Sequence, residues 1–190
     1  MNLLYYFGIK VYYFLVLVFS LFSEKARLFV RGRRKLFQDL KNKIDPNHRV
    51  VWFHCASLGE FEQGRPLIEE IKSRYPDIKI LLTFFSPSGY EIRKNYKWAD
   101  VVTYLPLDTP RNARRFLEIV QPEEVFFIKY EYWYFFLREI KKQNIPVFLV
   151  SAIFRRNQFF FKSYGTWFRK VLHYFDHIFV QNNASRKLLA

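Results

Sequence analysis

From Val50 onward, short apolar runs rich in β-branched and aromatic residues alternate with longer segments of helical pattern. The apolar runs are continuous rather than alternating, which is typical of strands buried on both faces of a parallel sheet. We predict six strands, at 50–55, 78–84, 101–107, 124–130, 146–152 and 177–181. We predict the intervening helices at 61–75, 88–96, 110–120, 132–143, 158–174 and from 184 onward. The pattern indicates an α/β domain with right-handed crossovers between parallel strands.

The amino-terminal segment has a different pattern. Leu3 to Phe22 is an almost uninterrupted apolar stretch, long enough to cross the hydrocarbon core of a membrane as a helix. Lys10 and several tyrosines lie within it, so both a spanning helix and an anchor lying in the membrane plane stay open. The basic residues that follow place the downstream chain on the cytoplasmic side. They are Arg27, Arg31, Arg33, Arg34, Lys35, Lys41 and Lys43.

These patterns divide the chain into three parts. We predict an apolar membrane anchor at 1–24, a basic juxtamembrane segment at 25–48 and an α/β domain with a parallel sheet at 49–190. We expect the anchor to stay attached, because no small-residue cleavage site follows it and no basic segment precedes it.

Composition narrows the range of partners. The formal net charge of +14 favours an anionic partner, which could be a membrane surface, a phosphorylated substrate or nucleic acid. Aromatic residues make up 21% of the chain, but they lie inside apolar runs rather than among exposed arginines. This arrangement predicts no nucleic-acid binding. The histidines and the single cysteine, Cys55, show no metal-ligand spacing, and a G-x-G-x-x-G fingerprint is absent, so we predict no metal and no cofactor.

Candidate chemistry is concentrated at the turn after the first predicted strand. Ser57-Leu58-Gly59-Glu60 enters a helix at the edge of the sheet where α/β proteins bind ligands. Glu60 could act there as a catalytic carboxylate. The same four residues also match a capping box, in which Ser57 and Glu60 satisfy each other's backbone donors. The spacing leaves both interpretations open. We expect the neighbouring His54 to be a buried, hydrogen-bonded side chain and Cys55 to be a small buried hydrophobe.

Further candidates follow the other predicted strands. Ser86-Pro87-Ser88-Gly89 is a hydroxyl-rich turn suited to phosphate or sugar hydroxyls, although Ser88 as a simple helix cap explains it equally well. Glu131 could face the same crevice as Glu60, or could be an ordinary acidic residue in the first turn of a helix. Three basic residues near strand ends could hold an anionic substrate or could be solvated charges. They are Lys129, Arg155 and Arg156.

Taken together, these residues resemble the amino-terminal half of the 3-deoxy-D-manno-octulosonic acid (Kdo) transferases. The resemblance covers nearly the whole chain, including its apolar anchor and basic segment. It rests on Ala56-Ser57-Leu58-Gly59-Glu60, Pro66-Leu67-Ile68, Ser86-Pro87-Ser88-Gly89, Pro106-Leu107-Asp108, Glu131-Tyr132-Trp133, Ile145-Pro146 and Val180-Gln181-Asn182.

The resemblance implies an inverting, metal-independent GT-B glycosyltransferase at the cytoplasmic face of the inner membrane. In that family the first Rossmann-like domain holds the lipid A precursor and the second holds the donor CMP-Kdo. It implies that Glu60 is the general base. It also implies a set of residues that contact the acceptor: Ser57, Gly59, Ser86, Ser88, Gly89, Lys129, Glu131, Arg155 and Arg156.

The chain departs from the family pattern in places. Lys129 stands where the family often has a glutamate, and Tyr134-Phe135 stand where it often has Pro-Asn. The sequence ends shortly after the sixth predicted strand, so we expect the donor-binding domain to be missing and the chain alone to be inactive. The alternative hypothesis is a noncatalytic membrane-surface module that binds anionic lipid.

Overall fold

The computed structural model describes residues 2–189 and contains six strands within that range. The strands are β1 (Val50–Cys55), β2 (Lys79–Phe84), β3 (Val101–Tyr104), β4 (Glu124–Ile128), β5 (Val147–Ala152) and β6 (His177–Val180). The α-helices are α1 (Asn2–Phe19), α2 (Glu24–Arg34), α3 (Leu36–Lys43), α4 (Leu58–Arg74), α5 (Pro87–Arg93), α6 (Pro110–Val120), α7 (Tyr134–Lys142), α8 (Thr166–Leu172) and α9 (Asn183–Leu189).

The six strands form one parallel sheet in the order β3-β2-β1-β4-β5-β6. This is the strand order of a Rossmann-like, doubly wound sheet, and all six predicted strands are confirmed. The order reverses between β1 and β4, and a crevice opens beyond the carboxyl ends of the strands at such a reversal. The segments that follow β1 and β4, which carry Glu60 and Glu131, therefore both lie at this crevice.

Helices cover both faces of the sheet. On one face, α3, α6, α7 and α8 pack on Trp52 and Phe127, with Leu40 and Phe116 fully buried between the layers. On the other face, α4 packs Phe61 on the sheet. Burial of each such side chain contributes about 1.5–3 kcal/mol, so the two layers hold the strand ends that form the crevice in a fixed arrangement.

The predicted helix at 158–174 is wrong in its first half. Phe159–Phe161 and Ser163–Gly165 form separate 3₁₀ turns, and the α-helix begins only at Thr166. At Gly165 the chain comes so close to itself that an added Cβ would lie 2.0 Å from the carbonyl oxygen of Phe159. This tight return of the backbone interrupts the helix.

Helix α1 lies against the domain. It ends at Phe19, three residues before the end of the apolar stretch, and it is long and apolar enough to cross a membrane by length and composition. One stripe of the helix is half-buried on the domain. The Tyr5 hydroxyl donates to Asp108 Oδ2 at 2.6 Å, and the Trp167 indole N–H donates to Asn2 Oδ1 at 3.0 Å. The opposite face is exposed and apolar, with Phe7 and Phe14 each more than 60% exposed.

The basic segment after α1 is helical and partly built into the domain. Leu36 and Leu40 of α3 are buried in the core beneath α6. Arg33 of α2 donates to the carbonyl oxygens of Leu105 and Phe85 at 2.9 and 2.7 Å. Helices α2 and α3 therefore pack on the α/β domain, and the domain boundaries proposed from the sequence stay a prediction.

Candidate functional site

The crevice lies at the carboxyl ends of β1, β2 and β4. Strand β1 ends at Cys55 and leads through a short turn into α4, while β2 leads through a parallel turn into α5. The Ser86 N–H donates to the Ala56 carbonyl oxygen at 2.8 Å and joins the two turns. The two turns therefore form one continuous wall that carries Ser57, Glu60 and Ser86.

Glu60 occupies the third position of α4 and is half-buried. Its Oε2 accepts a hydrogen bond from the Ser57 N–H at 3.0 Å, so the predicted capping interaction is confirmed. Burial, followed by the negative charge of Glu131, raises the pKa of Glu60 to about 7. A carboxylate with this pKa takes up a proton readily near neutral pH, which suits a general base. Capping and proton transfer are thus compatible in one side chain.

Glu131 is buried and lies three residues before the first residue of α7, so the interpretation as a first-turn acid is wrong. Its Oε2 lies 2.9 Å from His54 Nε2 and also accepts a hydrogen bond from the Trp133 indole N–H. The prediction of a buried, hydrogen-bonded His54 is confirmed. Such charge-assisted contacts hold the carboxylate of Glu131 in one orientation beside Glu60.

The sequence analysis missed the group on the other side of His54. Thr83 of β2 is fully buried, and its Oγ1 lies 2.9 Å from His54 Nδ1. The same oxygen accepts the Trp52 indole N–H at 2.8 Å. A chain of hydrogen bonds therefore runs from Trp52 through Thr83 and His54 to Glu131. The one available signal was a threonine inside the otherwise apolar run of β2.

The Ser86 turn differs in detail from its prediction. Ser86, and not Ser88, occupies the cap position of α5, and the two hydroxyl oxygens lie 2.8 Å apart. Gly89 is buried, and an added Cβ there would lie 2.5 Å from the Phe84 ring, so close packing already requires a glycine. Gly59 is different, because an added Cβ would lie within 4 Å of no other element in the described range. Space is therefore left open at Gly59 beside Glu60.

The three basic candidates lie at the ends of β4 and β5. Lys129 adopts a positive φ of 76°, a conformation that is uncommon outside glycine, and its ammonium lies 5.4 Å from the centre of the Tyr130 ring. Arg155 and Arg156 are exposed in the loop after β5. Within residues 2–189 none of the three forms an ion pair, so all are free to meet an anion. Their roles as acceptor-binding residues stay predictions.

Cys55 lies at the end of β1, and the prediction that it is a small buried side chain is confirmed. Cys55 is buried, and desolvation holds the pKa of its thiol well above the usual range, so the thiol stays protonated. Across the described range, 2–189, no group of three or more histidine, cysteine, aspartate or glutamate side chains is placed to hold a metal ion. The expectation of a metal-independent site stays a prediction.

Aromatic side chains connect the crevice to α1. Trp133 and Phe85 pack with ring centres 4.6 Å apart, and Phe85 stacks on Tyr12 at 6.2 Å. Beside them, an apolar groove of about 360 Å³ runs between α1, α2 and the Ser86 turn, with Val16 and Phe29 in its wall. The groove thus leads from the apolar helix toward the polar end of the sheet.

Comparison with known proteins identifies the family. The amino-terminal family model described as 3-deoxy-D-manno-octulosonic-acid transferase (kdotransferase) matches residues 29–190. Several relatives carry the name 3-deoxy-D-manno-octulosonic acid transferase, among them the three that follow. The Haemophilus influenzae protein is 30% identical over 73% of this chain and 33% of its own length. The Rickettsia felis protein is 35% identical over 70% of this chain and 29% of its own length.

The Rickettsia bellii protein is 27% identical over 90% of this chain and 40% of its own length. The chain therefore spans about a third of the length of the curated relatives it matches. The matched region contains every strand of the sheet and every residue of the crevice. This chain belongs to the 3-deoxy-D-manno-octulosonic-acid transferase family.

Proposed function

We propose that this chain is the acceptor-binding half of a GT-B glycosyltransferase that transfers Kdo from CMP-Kdo to the lipid A precursor. The donor nucleotide belongs to a second Rossmann-like domain of the whole enzyme, which faces the carboxyl edge of this sheet. Transfer inverts the anomeric centre and uses no metal ion. Family membership and the relatives' shared name support the activity. The position of the crevice supports the assignment of acceptor binding to this domain and of donor binding to a second one.

The proposal rests chiefly on the position of Glu60 and on its raised pKa. Its carboxylate lies at the reversal of strand order, and its pKa of about 7 is high for a glutamate. An acceptor hydroxyl is a poor nucleophile until its proton is removed. In the proposed step Glu60 takes that proton while the hydroxyl oxygen bonds to the anomeric carbon of Kdo, and CMP leaves with the electrons of the broken bond. A positioned base of this kind contributes about 10²- to 10⁴-fold to the rate.

The acceptor lies along the wall formed by the two turns. Open space at Gly59 admits a sugar ring close to Glu60, because an added Cβ there would meet no atom of another element among residues 2–189. The hydroxyl groups of Ser57, Ser86 and Ser88 face sugar or phosphate oxygens. The cationic residues at the ends of β4 and β5 neutralise the acceptor's anionic groups, and the held carboxylate of Glu131 orients a hydroxyl.

The domain attaches to the cytoplasmic face of the inner membrane through α1, which lies in the membrane plane. Two hydrogen bonds fasten the first turns of α1 to the domain, through Tyr5 and Asn2. A spanning helix would have to break both. The exposed face of α1 carries apolar side chains that enter the lipid, while the basic residues of α2 and α3 meet anionic headgroups.

The substitution Glu60→Gln tests the proposal in an enzyme of the family's full length. Glutamine keeps an oxygen for the Ser57 N–H but accepts no proton, so we expect near-normal thermal stability and transfer reduced by about two orders of magnitude or more. Glu70→Gln is the matched control, because Glu70 is an exposed carboxylate farther along α4. A Glu60→Gln enzyme that keeps most of its turnover would leave Glu60 with only a capping role.

A further inference from the structure

A second cavity, of about 900 Å³, lies between α1, α2, α6 and α7. One stripe of α1 lines it, formed by Leu3, Tyr6, Lys10 and Tyr13. The groove beside the Ser86 turn is lined by a different stripe of α1. The helix therefore separates this cavity from the crevice that holds Glu60, and the activity proposed above leaves the cavity unexplained.

The cavity is strongly cationic. Each of the four helices contributes basic side chains to its wall, and these are Lys10, Arg33, Arg111, Arg115 and Arg138. Over the part of the chain that the structure describes, no carboxylate lines the cavity, and none of these five side chains takes part in an ion pair. Helix α6, with eleven residues, also begins at the cavity wall and adds the positive end of its dipole.

The hydrogen-bond donors in this wall are not all used by the protein. Arg33 is satisfied by backbone carbonyl oxygens, so it contributes charge. The Nε–H of Arg138, by contrast, is buried and has no hydrogen-bond partner among residues 2–189. The guanidinium of Arg115 rests on the Phe37 ring, 4.3 Å from its centre, an arrangement that holds its plane in place. A buried donor left unpaired is unfavourable, and an anion that accepts from it removes that cost.

The nearby carboxylate of Asp108 offsets only part of the positive charge around the cavity. Asp108 is fully buried, and its oxygens accept from the Phe135 and Phe136 N–H groups at 3.1 and 3.0 Å and from the Tyr5 hydroxyl. Its negative charge also acts on Arg138, so it offsets at most one of the five positive charges in the wall. The arginines around the cavity keep an excess of positive charge.

We propose that this cavity binds the phosphate group of an anionic membrane phospholipid. Arginine forms paired hydrogen bonds to phosphate oxygens, and Arg111, Arg115 and Arg138 present three guanidinium groups to one space. A free phosphate ion fills only a small part of about 900 Å³, whereas a lipid headgroup matches the usual size of a ligand pocket. The exposed apolar face of α1 adjoins the cavity and receives the acyl chains. The proposal does not depend on Kdo transfer.

The test compares two pairs of charge-removing substitutions in the full chain. Arg111→Gln with Arg115→Gln removes two exposed cations from the cavity. Arg186→Gln with Lys187→Gln removes two exposed cations from α9 and serves as the matched control. Binding is measured to vesicles of phosphatidylcholine with phosphatidylglycerol, and to vesicles in which oleate supplies the same negative surface charge. Circular dichroism and thermal unfolding verify that both variants fold.

We expect the unmodified chain to prefer the phosphatidylglycerol vesicles, and the cavity pair to lose about thirtyfold in affinity for them, the combined effect of two basic residues at a membrane surface. The control pair should lose much less. Equal losses in the two pairs, or equal binding to both kinds of vesicle, would mean that general electrostatic attraction explains the vesicle binding. Either result would overturn the proposal. Displacement from the vesicles by inorganic phosphate at constant ionic strength would assign a free-phosphate site and overturn it as well.

Discussion

The buried hydrogen-bond network behind Glu131 makes a quantitative prediction for Thr83→Val. Valine has nearly the shape of threonine, so the substitution removes one hydroxyl and leaves the packing almost unchanged. Thr83 Oγ1 accepts from Trp52 at 2.8 Å and lies 2.9 Å from His54 Nδ1. All three side chains are fully buried, so water does not replace the lost oxygen.

The expected loss of stability follows from the two side-chain groups that lose the Thr83 hydroxyl as a partner, the Trp52 indole N–H and His54 Nδ1. Each buried polar group without a hydrogen bond costs about 1–3 kcal/mol, and removing the hydroxyl itself returns part of that cost. We therefore expect Thr83→Val to lower the free energy of unfolding by about 2–4 kcal/mol, a large fraction of the stability of a typical domain.

The measurement is urea unfolding in mild detergent, followed by circular dichroism. Thr103→Val is the matched control, because Thr103 lies opposite Thr83 on β3 and makes no side-chain hydrogen bond within the described residues. Its effect should stay within about 0.5 kcal/mol, as is usual away from the core. If the two variants unfold at the same urea concentration, the network does not contribute to stability and the reasoning about Glu131 is refuted.

Three further outcomes are expected. In an enzyme of the family's full length, transfer should rise with pH through about 7, because only ionised Glu60 accepts a proton; a rate that is flat across that range would contradict this. Gly59→Ala should unfold at the same temperature or slightly higher, whereas Gly89→Ala should be less stable because its Cβ meets the Phe84 ring; calorimetry compares the two. Phe14→Asn on the outer face of α1 should weaken vesicle binding in flotation assays, whereas Ile92→Asn, an equally exposed control on α5, should not.

The sheet could be predicted from the sequence because its signal is local. Each strand is a continuous apolar run bounded by turn residues, and a run such as 50–55 is recognisable without knowledge of its neighbours. The interruption of the predicted helix at 158–174 could not be foreseen, because it depends on the close approach of Gly165 to the backbone of Phe159. Hydrophobic periodicity carries no information about such a close return of the chain.

In the candidate site, too, some features could be predicted from the sequence and others could not. Glu60 was identifiable because it follows a strand by a fixed, short spacing. The pairing of Glu131 with His54 joins residues 77 positions apart, and the pairing of His54 with Thr83 depends on the register of β1 against β2. Register is set by packing across the sheet, so a reading of one strand at a time could recognise a buried histidine but not its partners.

The carboxylate of Asp108 links the packing of α1 on the domain to the support of the crevice. It accepts the backbone N–H groups of Phe135 and Phe136 at the start of α7 and, at the same time, the Tyr5 hydroxyl of α1. The loop that carries Glu131 ends where α7 begins. When α1 moves away from the domain, the fully buried Asp108 loses the Tyr5 hydroxyl as a donor, and the support beneath that loop weakens. Any treatment that detaches α1 from the domain should therefore disturb the position of Glu131 beside Glu60 before the domain unfolds.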